Sequence, residues 1–191
     1  MAGKGKSVLM VIAPSKFRDE ECLVPKEILE RAGAKVTIAS KGVHESTGML
    51  GATVAVEKDI SGINVDNYNA IVFVGGSGAS AYFNDPTALK IAKEAYEKRK
   101  VVAAICIAPT ILANAGILSG KRATASFSES STLRAKGVYY TNEEVTTDGT
   151  IITGKGPAAS KSFGDAIARA LGYVELRKVI KKIEQESDLE T

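Results

Sequence analysis

The chain has 191 residues, 45% of them apolar and 25% charged, with a formal net charge of +3. That length fits one domain with a substantial core, and so small a charge, with no basic cluster, argues against a nucleic-acid or membrane partner. Two cysteines and one histidine argue against a disulfide framework or a resident metal centre, and with no secretory pattern and no apolar stretch of spanning length the expected location is the reducing cytoplasm.

Residues 1–6 make a short polar start, expected to be loose. Residues 7–13 (SVLMVIA) read as a buried strand, stopped by Pro14 and followed by a polar loop. Over residues 19–32, Leu23, Ile28 and Leu29 recur at helical spacing, and Gly33 ends the pattern. Residues 35–40 (KVTIAS) read as a second strand, reached by a crossover expected to be right-handed. Residues 42–55 are weakly patterned: Met49-Leu50-Gly51 reads as a turn and residues 53–56 as a short strand. A third central strand, residues 70–74 (AIVFV), runs into Gly75-Gly76-Ser77-Gly78, and residues 86–98 form a charged amphipathic helix. Residues 101–105 (VVAAI) are a further strand, which stops at Cys106; Pro109 and a helical pattern of Ile111, Leu112 and Ala113 follow at once. Residues 122–125, 138–140, 145–147 and 151–153 read as strands, with Asp148-Gly149 a hairpin signal between the last two. Lys155-Gly156-Pro157 opens a helix through Leu171. The domain is expected to occupy residues 1–175 and a charged tail residues 176–191, where Ile180 and Ile183 allow one helical turn.

This order predicts an α/β domain: a doubly wound, mostly parallel sheet sandwiched by helices, flavodoxin-like, with ligands bound beyond the carboxyl ends of the strands. Three such ends carry chemistry: the loop of residues 14–21, Gly75-Gly76, and Cys106. No GxGxxG or GxxxxGK[ST] pattern supports a nucleotide site. Cys106 falls on a sharp strand-to-helix turn, the way an α/β sheet presents a nucleophile. A helix N-terminus behind it is expected to lower the thiol's pKa. The competing reading is a free cysteine filling a core position.

Four segments in this order resemble the ThiJ/PfpI (also written DJ-one) superfamily, of class I glutamine amidotransferase-like fold, over about residues 7–171. They are Phe17-Arg18-Asp19-Glu20-Glu21 ahead of Pro25, Val74-Gly75-Gly76, Ala104-Ile105-Cys106-Ile107-Ala108-Pro109, and Gly154-Lys155-Gly156-Pro157. The resemblance implies that Cys106 is the reactive residue and that Glu21, four residues before Pro25, shares a proton with it. It further implies that the backbone N–H groups of Gly76 and Ile107 face the reacting oxygen, that no cofactor is needed, and that the chain forms a homodimer or higher oligomer. The chemistry is consistent in itself. A thiolate beside a carboxylate is a like-charge pair that shares one proton, which lets the acid act as proton shuttle to a covalent adduct, and paired N–H groups stabilise an oxyanion. The competing reading of Glu21 is a solvated carboxylate in a first helical turn; Glu20 is expected to be solvated.

Many relatives carry a histidine at one of two positions, which are Ile107 and Ser126 here. A Cys–His pair is therefore unsupported, and His44 reads as a surface-loop residue. Lys16 and Arg18 could hold a substrate carboxylate or an oxidised cysteine, against the plainer reading of solvated surface charges; Ser126 and Pro157 complete the candidate substrate side. Cys22, adjoining Glu21, points about 100° away from it on a helix. Tyr139 and Tyr140 are expected to divide between core and interface. The resemblance favours a cofactor-free glyoxalase or deglycase acting on a small reactive carbonyl. The alternatives are a non-catalytic, oxidation-sensing, stress-protective or chaperone-like dimer, and a cysteine peptidase or amidase.

Overall fold

The apolar runs line up side by side in one sheet. The computed structural model describes residues 5–173 and Gln185. It comprises β1 (Ser7–Val11), α1 (Asp19–Ala32), β2 (Lys35–Ser40), β3 (Glu45–Thr47), β4 (Thr53–Ala55), β5 (Lys58–Asp59), β6 (Ala70–Phe73), α2 (Pro86–Glu97), β7 (Val101–Ile105), α3 (Pro109–Asn114), β8 (Arg122–Ala123), α4 (Ser130–Ala135), β9 (Tyr139–Tyr140), β10 (Val145–Asp148), β11 (Ile151–Gly154) and α5 (Ser160–Ala170). The seven-stranded sheet runs β10-β11-β7-β6-β1-β2-β5, parallel throughout except for β10. Strand order reverses between β1 and β6, so their carboxyl ends form the switch point where open α/β sheets bind ligands.

Both faces of the sheet are buried at its centre, which is why β1, β6 and β7 are continuous apolar runs. Val8 and Met10 of β1 pack with α1 and α5, whereas Leu9 and Val11 pack with α2, α3 and α4. Helices α1 and α5 close on each other through Gly164 of α5, where a Cβ would stand 2.9 Å from Ile28 Cδ1 and 3.0 Å from Pro25 Cα. That contact holds α1, and everything on its first turn, against the sheet.

Several short elements differ from the sequence expectation. The segment read as one strand near residue 53 is half of a separate hairpin, β3–β4. Residues 122–123 leave the main sheet to pair with β9. α4 was not anticipated, and β5 was not either. Asp148 pairs with Ile151, so the two loop residues of the β10–β11 hairpin are Gly149-Thr150, one position beyond the predicted pair. A 3-10 turn, Pro157–Ala159, precedes α5. Apart from Gln185, the predicted tail of residues 176–191 lies outside the described residues. No helix among the described residues is long and apolar enough to cross a membrane.

Candidate active site

Along β7 side chains alternate between the two faces: Val102 and Ala104 toward α2 and α3, Val101, Ala103 and Ile105 toward α1 and α5. Continued alternation would send Cys106 to the α3 side. Instead its φ is 64°, and it packs on the α1–α5 side with Ile105. A left-handed backbone at a non-glycine residue is strained and persists only where its surroundings fix it. Here the Cys106 N–H donates to Gly154 O at 3.0 Å, and the Cys106 carbonyl accepts from the Ser126 N–H at 2.7 Å. The elbow is thus stapled on both sides.

The two glycines after β6 give it room. A Cβ on Gly75 would stand 2.6 Å from Cys106 Cβ and 2.7 Å from Ile105 O, and would strike Glu21 Oε2. Gly76 has φ 98°, and a Cβ there would meet Lys16 O and Phe17 C at 2.6 Å. Bare backbone therefore reaches the sulfur, which is faced by the N–H groups of Gly76 and Ile107.

Glu21 is fully buried. Its Oε2 accepts the Gly75 N–H at 3.0 Å. Its Oε1 has no hydrogen-bond partner, the one such buried side-chain atom among the described residues. Burial pushes this carboxyl up to about 7, against the stabilising Cys106 thiol, the Gly75 N–H and the Arg18 charge. Burial also pushes the Cys106 thiol up, as does the Glu21 charge, to about 12, against the two N–H groups facing the sulfur. This overturns the expectation of a thiol lowered by its helix N-terminus: α3 has only six residues, and a buried negative neighbour outweighs it. Both groups are pushed toward their protonated forms because the pocket accommodates one negative charge poorly and two very poorly. Once Glu21 holds the proton the repulsion is gone, and its O–H can donate to a thiolate.

The other predicted residues distribute unevenly. Glu20 is half-buried and holds the Arg18 guanidinium in two contacts, at 2.7 and 3.2 Å, so Arg18 is near the site but engaged. Its backbone N–H donates to Gly75 O at 2.9 Å. Lys16 is exposed, and its contribution is made by backbone: φ 56°, with its carbonyl accepting from the Gly78 N–H at 3.0 Å. Ser126 lies against the elbow through its N–H. Pro157 opens the turn before α5 and accepts Ser160 Oγ at 2.7 Å; it is Gly154, earlier in the same segment, that bonds Cys106. His44 is exposed. Cys22 is buried among α1–α5 core residues, and burial pushes its thiol up to about 12.

Two residues escaped the sequence reading. Asp19 is buried and accepts the N–H groups of Leu50 at 2.9 Å and Ala52 at 2.8 Å. Burial would raise its carboxyl, but those N–H groups hold it below the usual range. It pins the β3–β4 turn to the start of α1, beside the Gly76 turn. Glu129 accepts Thr110 Oγ1 at 3.1 Å, on α3 behind the elbow. Both look like solvated acids in sequence, because their partners lie far along the chain.

Comparisons with known proteins bear on the family and the fold. The model of the DJ-1/PfpI family matches residues 6–170. An uncharacterised protein of Methanocaldococcus jannaschii is 43% identical over 171 residues, 88% of this chain and 83% of that one. The protein named deglycase PfpI of Pyrococcus furiosus is 31% identical over 170 residues, 89% of this chain and 99% of its own. Among solved structures, a ThiJ/PfpI domain protein of Brachyspira murdochii superposes with a TM-score of 0.87 at 31% identity, covering 90% of this chain and 99% of that one. Drosophila melanogaster DJ-1beta gives 0.82 at 27% identity, covering 94% and 97%.

Proposed function

The chain belongs to the DJ-1/PfpI family, and from that premise we propose that it is a cofactor-free glyoxalase or deglycase, acting on small vicinal dicarbonyls through Cys106 and Glu21. The observation that carries this reading is the buried Glu21 carboxyl, pushed up to about 7 and unpartnered at Oε1, beside an elbow cysteine. An acid whose pKa lies near neutral pH can both give and take a proton in one turnover. Several relatives are named deglycases, which supports the deglycase side of this reading.

The steps balance with this chain's groups and one water. The Cys106 sulfur bonds the aldehyde carbon, and the thiol proton passes through Glu21 to the aldehyde oxygen, giving a hemithioacetal. Ionised Glu21 removes the proton on that carbon, and the electrons flow to the second oxygen as an enediolate. Glu21 returns the proton to the neighbouring carbon, while the first oxygen's proton moves to the second oxygen. A thioester results. Water then splits it, releasing a 2-hydroxy acid and restoring the thiol. The N–H groups of Gly76 and Ile107 stabilise charge on the first oxygen.

We also propose that it works as a homodimer. Leu23, one turn beyond Asp19 on α1, and Leu50, whose N–H Asp19 accepts, are 42% and 63% exposed, large apolar side chains left in solvent. The oxidation-sensing alternative uses the same pair of residues: the N–H groups of Gly76 and Ile107 and a protonated Glu21 would hold a sulfinate. The test is lactate formation from methylglyoxal by the wild type, Cys106→Ala and Glu21→Gln. Lactate from the wild type alone is the expected result. Wild type no better than Cys106→Ala, with ready conversion of Cys106 to sulfinate by peroxide, would replace this reading with the sensor.

A further inference from the structure

The turn of residues 48–52, closed by the Gly48 N–H on Ala52 O at 2.8 Å, is tied to its surroundings by more than Asp19. The Lys16 N–H donates to Thr47 O and the Met49 N–H to Phe17 O, both at 2.8 Å, so the turn lies along the loop that leads into α1. Met49 reaches further, to the segment after β6. Its Sδ accepts the Ser77 N–H at 3.4 Å. Ser77 follows Gly76, whose own N–H faces the Cys106 sulfur. Every N–H from residue 75 to residue 79 has an acceptor. Gly75 donates to Glu21 and Gly76 faces the sulfur. Gly78 donates to Lys16 O and Ala79 to Gly76 O, each at 3.0 Å. Ser77 alone among them is held by a thioether, a weak acceptor. That thioether belongs to a side chain 44% exposed, whereas Met10 is fully buried. No step of the isomerisation uses it.

A hydroperoxide can transfer one oxygen to such a sulfur. The O–O bond breaks, an S–O bond forms, and the rest of the peroxide leaves as water or an alcohol. The weak acceptor becomes a polar sulfoxide with a strong one. A sulfur 3.4 Å from the Ser77 nitrogen leaves no room for an oxygen between them, because an N–H···O bond alone takes about 2.9 Å. The sulfoxide therefore draws back or pushes Ser77 aside. Gly76, at φ 98°, is the adjoining residue best able to turn with it.

We propose that Met49 is a reversible oxidation site that sets the position of the Gly76 N–H, and through it the reactivity of Cys106. A dithiol reductase reverses the change: the oxygen leaves as water and the dithiol becomes a disulfide. This role depends only on where the Gly76 N–H points, so it holds whether Cys106 turns over dicarbonyls or senses oxidant.

The experiment oxidises Met49 with Cys106 masked. Methyl methanethiosulfonate first converts Cys106 to its methyl disulfide. Hydrogen peroxide is then applied and removed, and dithiothreitol frees the thiol. Peptide mass spectrometry compares sulfoxide at Met49 and at Met10, and iodoacetamide reads the Cys106 rate at neutral pH. Met49 is expected to oxidise well ahead of Met10. Cys106 is then expected to alkylate about tenfold more slowly, the worth of one hydrogen bond to a charged sulfur. Methionine sulfoxide reductases of both epimer specificities are expected to restore the rate. Met49→Leu, treated in the same way, is expected to keep its own untreated rate. A Cys106 rate unchanged by sulfoxide at Met49 would overturn the proposal. So would a Met49 no more oxidised than Met10, which would mean a covered thioether. An equal loss of rate in Met49→Leu would overturn it as well, by placing the effect elsewhere.

Discussion

At the scale of single residues the site is a problem of space and charge. Two glycines admit backbone to a sulfur that a methyl group would displace. Gly75→Ala, with no positive φ to blame, is expected to cost about 3 kcal/mol through overpacking against Cys106 and Ile105. It should also abolish turnover; thermal unfolding and the lactate assay check both. Glu21 sets the pH behaviour. Its folded-state value is raised from 4.5 to about 7, so its contribution to stability is fully present below pH 4.5 and is lost as pH rises through about 7. Relative to Glu21→Gln, the wild type should lose of order 3 kcal/mol across that window, at about 1.4 kcal/mol per unit. Urea unfolding of both proteins as a function of pH measures it; parallel curves would contradict the assignment. Glu21 was legible in the sequence only through the motif around it. Taken alone it is an acid in a first helical turn, and nothing local distinguishes it from Glu20, which does stay half-buried and paired with Arg18. Asp19 was not legible, because the N–H groups it accepts lie 31 and 33 positions further along.

At the scale of elements, the segments read correctly are those whose own pattern decides them. The runs of β6 and β7 are apolar on both faces, as is β1 after Ser7, β2 is buried from Val36 to Ser40, and α1 is bounded as predicted, from Asp19 to Ala32. The elements misread are short and polar, and tertiary contacts decide them. β8 has two residues and pairs with β9 rather than with the sheet. β4 forms a hairpin because β3 lies within reach across a turn that Asp19 holds. The element that matters most for the site is α1, since it carries Glu21, and its seat is the small residue Gly164. Gly164→Val is expected to push α1 outward, costing about 2 kcal/mol and slowing turnover more than a surface change of equal cost. Unfolding and kinetics of the variant, set beside a destabilised surface variant, test this.

At the scale of the molecule, the sheet order places the β1 loop, the β6 glycines and the β7 elbow at one switch point. This much was legible in the order of apolar runs and helical patterns, because parallel strands separated by helices leave few topologies. Leu23 and Leu50 lie in solvent. If a second copy covers them, light scattering should report a dimer, and Leu50→Asp should yield monomers by burying a charge in the interface. A wild-type monomer would contradict the dimer.

The central claim is that Cys106 and Glu21 share one proton. It is tested most directly by the rate of Cys106 alkylation by iodoacetamide against pH, in wild type and Glu21→Gln, with Cys22 buried. Removing the Glu21 charge removes a cause of the raised thiol. The account predicts that the thiolate of Glu21→Gln emerges at lower pH and alkylates faster near neutrality, even though lactate formation is lost. Coincident profiles would contradict it.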